Sequence, residues 1–359
     1  MNNSRFVILE RFNKLIRRWK EVILITLAVR LFLFIYSSFL IDRQNFLIRW
    51  VGFWDGRWYL DLAQNWYTSV GERSITVVFY PLYPILIKLT SFFISNFSLA
   101  AILVSTLFSL IAAIALFELT LLDFNKRGAI LSVWFLNIFP TSYFLQAGYT
   151  ESVFLATSML SVLLFRKKLF LRSGFLGFLA TLTRVNGLTL IPLFLIEQKI
   201  NRKNLMSYLL LTLGFLIYLG INFAIFGDAF YFTKPLLENW GKRLDWPWMG
   251  IYYLLGSDLS ITTYIYLSEL VGLILITFFG FYTFLKVRKS YGVYVLFNLV
   301  LITSTNFILS TPRYALILFP IFIALGSIKD KKLIVFLSII FITLLLYLTE
   351  NFIQGIWAF

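Results

Sequence analysis

The sequence predicts an all-α polytopic membrane protein, and three observations predict it. Of its 359 residues, 60% are hydrophobic and 14% are charged, a balance that a soluble domain cannot keep in solution. Apolar segments of roughly 20 residues, the length of a helix that crosses the hydrocarbon core, recur along the chain. Lys and Arg, 32 against 17 Asp and Glu, gather in the polar links between alternate segments. The formal charge of +15 is therefore explained by orientation and not by a nucleic-acid partner.

Taken in order, Arg5, Arg11, Lys14, Arg17, Arg18 and Lys20 make 1–20 a cytoplasmic N-terminus. No small-residue cleavage site follows, so 21–41 is read as a first transmembrane helix running outward and not as a removed signal. Residues 42–98 form the first external loop. Within it, 55–67 place Trp58, Leu62 and Trp66 on one face and Asp61 and Gln64 on another, the pattern of an interfacial helix. Segment 77–94 is interrupted by Pro81 and Pro84 and carries Lys88, which reads as interfacial or re-entrant, with a true span as the alternative.

From there the crossings alternate. Segment 99–122 runs inward to Lys126 and Arg127, 128–145 outward, and 151–165 back to Arg166, Lys167 and Lys168. Segment 169–197 lies between two basic inner markers and must cross an even number of times, so two short helices meet at the polar break Thr183-Arg184-Val185-Asn186-Gly187. Segment 205–226 runs outward to a second external loop, 227–260, rich in Trp and Tyr. Then 262–285 returns, 293–309 goes out, 310–313 makes a tight external turn, 314–327 returns, and 333–349 goes out last. That makes about eleven crossings, with an external C-terminus, in one integral-membrane domain over 1–359. No repeat of roughly 20–50 residues and no soluble domain is visible.

The inventory narrows the chemistry. With no Cys and no His, thiolate nucleophiles, imidazole acid/base catalysis and His/Cys metal sites are excluded, which leaves Asp, Glu, Tyr, Lys and Arg. The stretch Phe53 to Tyr59, FWDGRWY, puts an acid where a hydrophobic span meets water. Asp55 reads either as a general base held at the bilayer surface or as a loop acid within an interfacial aromatic belt. Gly56 beside it lets a ligand or backbone come close.

On this topology Asp55, Asp61, Tyr149, Glu151, Arg184 and Arg313 all fall on or near the external half. Ionisable groups in a membrane are costly, so Glu151 and Arg184 are functional candidates, the alternative being a buried structural pair between them. Arg313 follows Pro312 at a helix start, where a guanidinium and the helix N-terminus favour a phosphate, unless it is an interfacial arginine. Arg30, about two turns into the first helix, is read as structural, its side chain snorkelling to the inner surface.

Five blocks in order, FWDGRWYLDLA (Phe53 to Ala63), FYPLYP (Phe79 to Pro84), NIFPTSYFLQAGYTES (Asn137 to Ser152), LATLTRVNGL (Leu179 to Leu188) and PRYALILFPIFIALG (Pro312 to Gly326), resemble the GPI mannosyltransferase II (PIG-V-type) family and its prokaryotic relatives, within the GT-C superfamily of lipid-linked-sugar transferases. The resemblance implies a GT-C-type bundle whose first external loop carries the catalytic acid, here Asp55. It implies inverting transfer of a hexose, first of all mannose, from a polyprenyl-phosphate (dolichyl-phosphate-type) donor to a glycolipid or glycan acceptor on the extracytoplasmic side.

In that scheme Arg313 and Arg184 neutralise the donor phosphate, and Glu151, Tyr149, Trp54, Arg57 and Asn186 are sugar or acceptor contacts. No cofactor or metal is required, although carboxylates such as Asp55 and Glu151 accept magnesium or manganese. The membrane is a prokaryotic plasma membrane, or the endoplasmic reticulum of a eukaryote. A transporter or flippase of lipid-linked saccharides remains the rival class, and a GT-C enzyme with another sugar or a protein acceptor the rival within it.

Overall fold

The long apolar helices carry no Pro, and Pro81, Pro140 and Pro320 stand where other helices end or bend. The structure, a computed structural model, describes residues 2–256 and 263–358, with side chains from 16 onward apart from 43. The expected end of the second external loop at 260, the start of the following helix at 262, and the side chains of Arg5, Arg11 and Lys14 lie outside the described residues.

Helix α1 (Asn2–Ser38) has neither Gly nor Pro to stop it, so the expected cytoplasmic segment 1–20 is the polar start of one continuous 37-residue helix. Its apolar part is Ile16–Ser38. Short helices α2 (Phe46–Val51) and α3 (Asp55–Asn65) follow. A two-turn 3-10 stretch Glu72–Val78 then bends by 111° into α4 (Leu82–Ser91) around Pro81, so the interruption expected in 77–94 is present.

Helix α3 buries Gly56, Tyr59, Leu62 and Ala63, so of the face Trp58, Leu62 and Trp66 named from spacing Leu62 lies in the core and Trp58 packs at its edge. Tyr59 packs edge-on against Phe79 and Tyr83, at 5.1 and 5.4 Å, while Trp66 lies beyond the helix end and is exposed.

Helices α5 (Phe97–Thr120) and α6 (Lys126–Ile138) are each started by an Asn cap, with Asn96 accepting from the Leu99 N–H and Asn125 from that of Gly128. Next come α7 (Glu151–Arg166), α8 (Phe170–Thr181) and α9 (Leu190–Glu197), the last two separated by the Thr183-to-Gly187 break as expected. Helix α10 (Leu205–Phe226) presses on α8 through Gly214, where a Cβ would stand 2.4 Å from the Phe178 carbonyl oxygen. The chain continues through α11 (Thr233–Trp240), α12 (Met249–Gly256), α13 (Thr263–Tyr282), α14 (Lys289–Thr303), α15 (Thr311–Leu316), α16 (Pro320–Gly326) and α17 (Lys331–Gln354).

Among the described residues, Ile16–Ser38, Phe97–Thr120, Leu205–Phe226, Thr263–Val287 and Lys331–Gln354 are long and apolar enough to cross a membrane, five helices, or six if the bent pair at Pro81 is one span. The expectation of about eleven full crossings is not met by single helices, because a helix needs about 20 residues to cross. Helices α6, α7 and α14 have 13, 16 and 15 residues, cut short at Pro140, Lys167 and Ser304. Segment 314–327 is likewise divided between α15 and α16 by Pro320. The long helices turn side chains such as Leu209, Leu216, Phe223, Val335 and Ile339 outward, which suits lipid and not water.

One continuous apolar core runs from Leu33 to Ala358. At one end of the bundle a clamp ties five helix ends together. Arg166 bonds both oxygens of Asp123 at 2.5 and 2.8 Å and Arg288 grips Glu197, with Tyr291 and Ser290 completing the set. The broken helices meet at the other end.

Candidate active site

Asp55 is placed by a strained turn. Trp54, which precedes it, has φ 49° and ψ −125°, a conformation that costs a non-glycine residue on the order of 1–3 kcal/mol and persists only where its surroundings fix it. The Phe53 carbonyl accepts from the Gly56 N–H at 2.9 Å and from the Tyr149 hydroxyl at 3.0 Å, and the Trp54 ring meets Trp357 edge-on at 5.2 Å. Gly56 is required here, because a Cβ would lie 2.3 Å from the Val51 carbonyl oxygen.

Four charges from four separate elements converge on this turn. Arg313 of α15 donates from Nη1 to Asp55 Oδ2 at 2.8 Å and from Nε to Glu151 Oε1 at 2.5 Å. Arg184, in extended backbone at the α8–α9 break, donates from Nη1 to the same Glu151 oxygen at 2.7 Å and to Thr150 Oγ1 at 2.9 Å. Arg313 also lies over the rings of Tyr149 and Phe144, at 4.6 and 4.9 Å, and Arg184 lies 5.7 Å from the Tyr314 ring. Two acids and two arginines balance.

Side-chain exposure falls from 30% at Asp55 through 13% at Arg184 and 8% at Arg313 to none at Glu151. Asp55 is thus the member open to a substrate, and Glu151 the buried hub that orders both guanidiniums. The second hub oxygen, Oε2, is buried and finds no hydrogen-bond partner among the described residues. Tyr59 is no competitor as a base, since burial, followed by the neighbouring Asp55 charge, pushes its hydroxyl far up and keeps it neutral.

Sequence-expected residues separate here into those brought together and those not. Asp55, Glu151, Arg184, Arg313 and Tyr149 meet, and the direct pair between Arg184 and Glu151 is present. Trp54 flanks them, half-open at 37% exposure. Asn186 turns away, its amide donating to Asn298 Oδ1 at 2.8 Å in a buried chain that continues to Thr189. Arg57 is exposed, stacked on Trp58, and Asp61 is held by Arg73.

Two expectations need correction. The N-terminus of α15 is not open to a phosphate, because the buried carboxylate of Glu269 already accepts from the Ser310 and Thr311 N–H groups at 2.6 and 2.8 Å. Arg30 does not snorkel. It is 2% exposed and donates to the Ser142 carbonyl at 2.5 Å and to Asn137 at 3.1 and 3.2 Å. Glu269 was missed, although an acid inside the apolar segment 262–285 is the signal that marks such a residue.

Asp55 and Glu151 share Arg313 as their counter-ion, each giving it one oxygen. No group of three or more acidic, His or Cys side chains fit to hold a metal occurs among the described residues.

No family model matches the chain. It is similar to GPI mannosyltransferase 2 of Schizosaccharomyces pombe, 35% identical over 149 residues, which is 40% of this chain and 31% of that protein. The match thus spans about a third of the relative's length. Among solved structures, the oligosaccharyltransferase of Archaeoglobus fulgidus in its apo form aligns with 93% of this chain and 56% of its own at a TM-score of 0.47 and 13% identity. The same organism's oligosaccharyltransferase AglB, in complex with an inhibitory peptide and a dolichol-phosphate, aligns over the same shares at a TM-score of 0.42 and 13% identity.

Proposed function

We propose that the protein is a membrane-bound glycosyltransferase that moves a hexose, mannose first of all, from a polyprenyl-phosphate donor to a glycolipid or glycan acceptor, on the extracytoplasmic side and with inversion, with Asp55 as general base. One observation carries the proposal: an accessible carboxylate on a fixed, strained turn is oriented by a buried guanidinium that is itself held by a buried acid. The sequence likeness to a mannosyltransferase points to the same class of reaction.

The chemistry follows from the groups present. An acceptor hydroxyl is a poor nucleophile until its proton is removed, and a carboxylate within about 3 Å takes that proton as the new bond to the anomeric carbon forms. Asp55 Oδ2 is engaged by Arg313, and the other carboxylate oxygen, Oδ1, is the one assigned to the proton. As the bond from the anomeric carbon to the phosphate oxygen breaks, its electron pair leaves with the lipid phosphate, which changes from a singly charged diester to a monoester carrying a further charge.

Arg313 and Arg184 lie beside that leaving group in this scheme and stabilise the growing charge. Tyr149 fixes the turn through the Phe53 carbonyl, Trp54 offers a face on which a sugar ring can stack, and Glu151, with no exposed side-chain surface, acts on the sugar through the two guanidiniums it holds. Arg57 and Asn186 are assigned supporting places outside this inner set.

The test is mass spectrometry of the products formed when purified protein meets a panel of polyprenyl-phosphate sugars and glycolipid acceptors. A new glycosidic bond at the acceptor, with lipid phosphate released, is the expected result. Movement of a saccharide-lipid across a reconstituted bilayer with no new bond would replace this reading with the transporter one.

A further inference from the structure

Three residues after Asp123 of the clamp, α6 begins, and here a groove of about 500 Å3 opens between α1, α6 and α17. Its head is charged and its walls are apolar. Helix α6 sets Lys126 and Arg127 at the mouth and Leu131 and Trp134 further along, on successive turns of one face. Ile25 of α1 and Ile334 of α17 complete the walls. From Arg127 to Trp134 the helix advances about 10 Å at its usual rise per residue, a depth that fits inside one leaflet of hydrocarbon.

The groove is held open by contacts at its edges. Across the mouth Lys126 Nζ donates to Glu21 Oε1 at 2.6 Å, which ties α6 to α1. Arg127 donates from Nη2 to the Lys329 carbonyl at 3.3 Å, which ties α6 to the link before α17. At the far end the Trp134 indole N–H donates to Ser338 Oγ at 2.9 Å and joins α6 to α17 again. A channel with fixed sides, a polar rim and an apolar interior has the outline of an amphiphile.

The rim decides which amphiphile. Glu21 is taken by Lys126, whereas Arg127 forms no ion pair among the described residues and keeps the rest of its fork free. The run 329–332, joined to the rim through the Lys329 carbonyl, adds exposed Lys329, Lys331 and Lys332, and its single acid, Asp330, caps α17 by accepting the Lys332 N–H at 2.8 Å. Five cations thus face two acids around the mouth. A zwitterionic headgroup would bring its own cation into that field, while an anionic one brings only the charge the rim lacks, and an arginine fork is shaped to take a phosphate. Basic pockets between membrane helices hold anionic headgroups for these reasons.

We propose that this groove is a binding site for an anionic phospholipid of the surrounding membrane. The lipid's phosphate lies against Arg127 with Lys126 beside it, and an acyl chain runs along Leu131 and Trp134 between Ile25 and Ile334. Bound there, the lipid bridges α1 and α17, whose outer faces otherwise look onto lipid, to the interior helix α6. The site is independent of the transfer chemistry assigned to Asp55.

The test uses the full chain, purified and delipidated in detergent, with phosphatidylglycerol and phosphatidylcholine of identical acyl chains as probes. Native mass spectrometry should show one phosphatidylglycerol retained about 10-fold more tightly than phosphatidylcholine, and phosphatidylglycerol should raise the unfolding midpoint further than phosphatidylcholine at equal concentration. Arg127→Gln should weaken phosphatidylglycerol by about 10–100-fold, the range for losing one charge-assisted hydrogen bond, and bring the two lipids level. Leu131→Trp, which fills the wall and leaves every charge in place, should weaken both. Lys203→Gln, which removes an equal charge from the exposed link before α10, should alter neither.

Unfolding of each variant in lipid-free detergent separates these effects from loss of fold. Equal retention of the two lipids by the wild type, or an undiminished preference for phosphatidylglycerol in folded Arg127→Gln, overturns the proposal. Displacement of phosphatidylglycerol by an equal concentration of polyprenyl phosphate, in a manner that depends on Arg127, would assign the groove to that lipid and overturn the phospholipid as its occupant.

Discussion

Replacing Glu151 by Gln tests the role of the buried hub. The substitution keeps the shape and removes one negative charge, so the four-member cluster goes from neutral to a net charge of +1 with no water to absorb it. Two charge-assisted bonds end on the lost carboxylate, from Arg313 Nε and Arg184 Nη1. Removing one partner of a buried ion pair costs about 3–5 kcal/mol, and two bonds of about 1.5–3 kcal/mol each give the same range. For a chain of this size that corresponds to a fall of roughly 5–10 °C in the unfolding midpoint.

Part of the cost can be recovered, which makes the reasoning testable beyond mere loss of stability. Arg184→Gln in the same chain removes the surplus cation, so the double variant should be more stable than the sum of the two single changes by about 1–3 kcal/mol. Thermal and chemical unfolding of wild type, both single variants and the double variant in one detergent supply the cycle. Strict additivity, or a Glu151→Gln protein as stable as wild type, would refute the idea that Glu151 holds the two guanidiniums together.

Other substitutions follow from the same geometry. Gly56→Ala sets a Cβ against the Val51 carbonyl oxygen and should abolish transfer while lowering stability by about 1–3 kcal/mol, read by product formation and unfolding side by side. Arg30→Met leaves the Ser142 and Asn137 acceptors unpaired between α1 and the α6–α7 connection, and should cost about 3 kcal/mol or more in unfolding without changing the donor KM. Glu269→Gln can satisfy only one of the two N–H groups that start α15, so it should tilt Arg313 and lower kcat by roughly tenfold, with near-normal membrane insertion. Arg288→Gln loosens the clamp at the opposite end of the bundle and should lower the unfolding midpoint while leaving kcat and both KM values as they are.

The sequence announces its breaks better than its crossings. Pro81, Pro140, the run Thr183 to Gly187 and Pro320 each end or bend a helix for reasons local to the backbone, and each is where the structure departs from a straight span. Hydropathy cannot see that such breaks divide apolar segments into helices of 6 to 16 residues, which is why the segments counted from sequence outnumber the single helices long enough to cross. Helix α3 shows a related limit. Periodicity picks out an amphipathic helix and its face of Trp58, Leu62 and Trp66, but not the burial of Tyr59, which follows from Phe79 and Tyr83 beside it and has no local signal.

At the site the residue types were legible and their wiring was not. Asp55 and Arg313 are 258 residues apart and share a hydrogen bond, and an acid beside an aromatic cluster is visible in sequence long before its partner is. Glu269 illustrates the remainder: it lies in an apolar helix and caps another, and that role is not written in the few residues around it.

Product formation by Asp55→Asn, followed by mass spectrometry with the wild type's own donor and acceptor, tests the central claim most directly. Asparagine keeps the hydrogen bond geometry but cannot take a proton, so a correctly inserted variant with the wild-type unfolding profile should lose about 100-fold or more in turnover. Turnover within a few-fold of the wild type would show that the acceptor proton goes elsewhere and would remove Asp55 from the reaction.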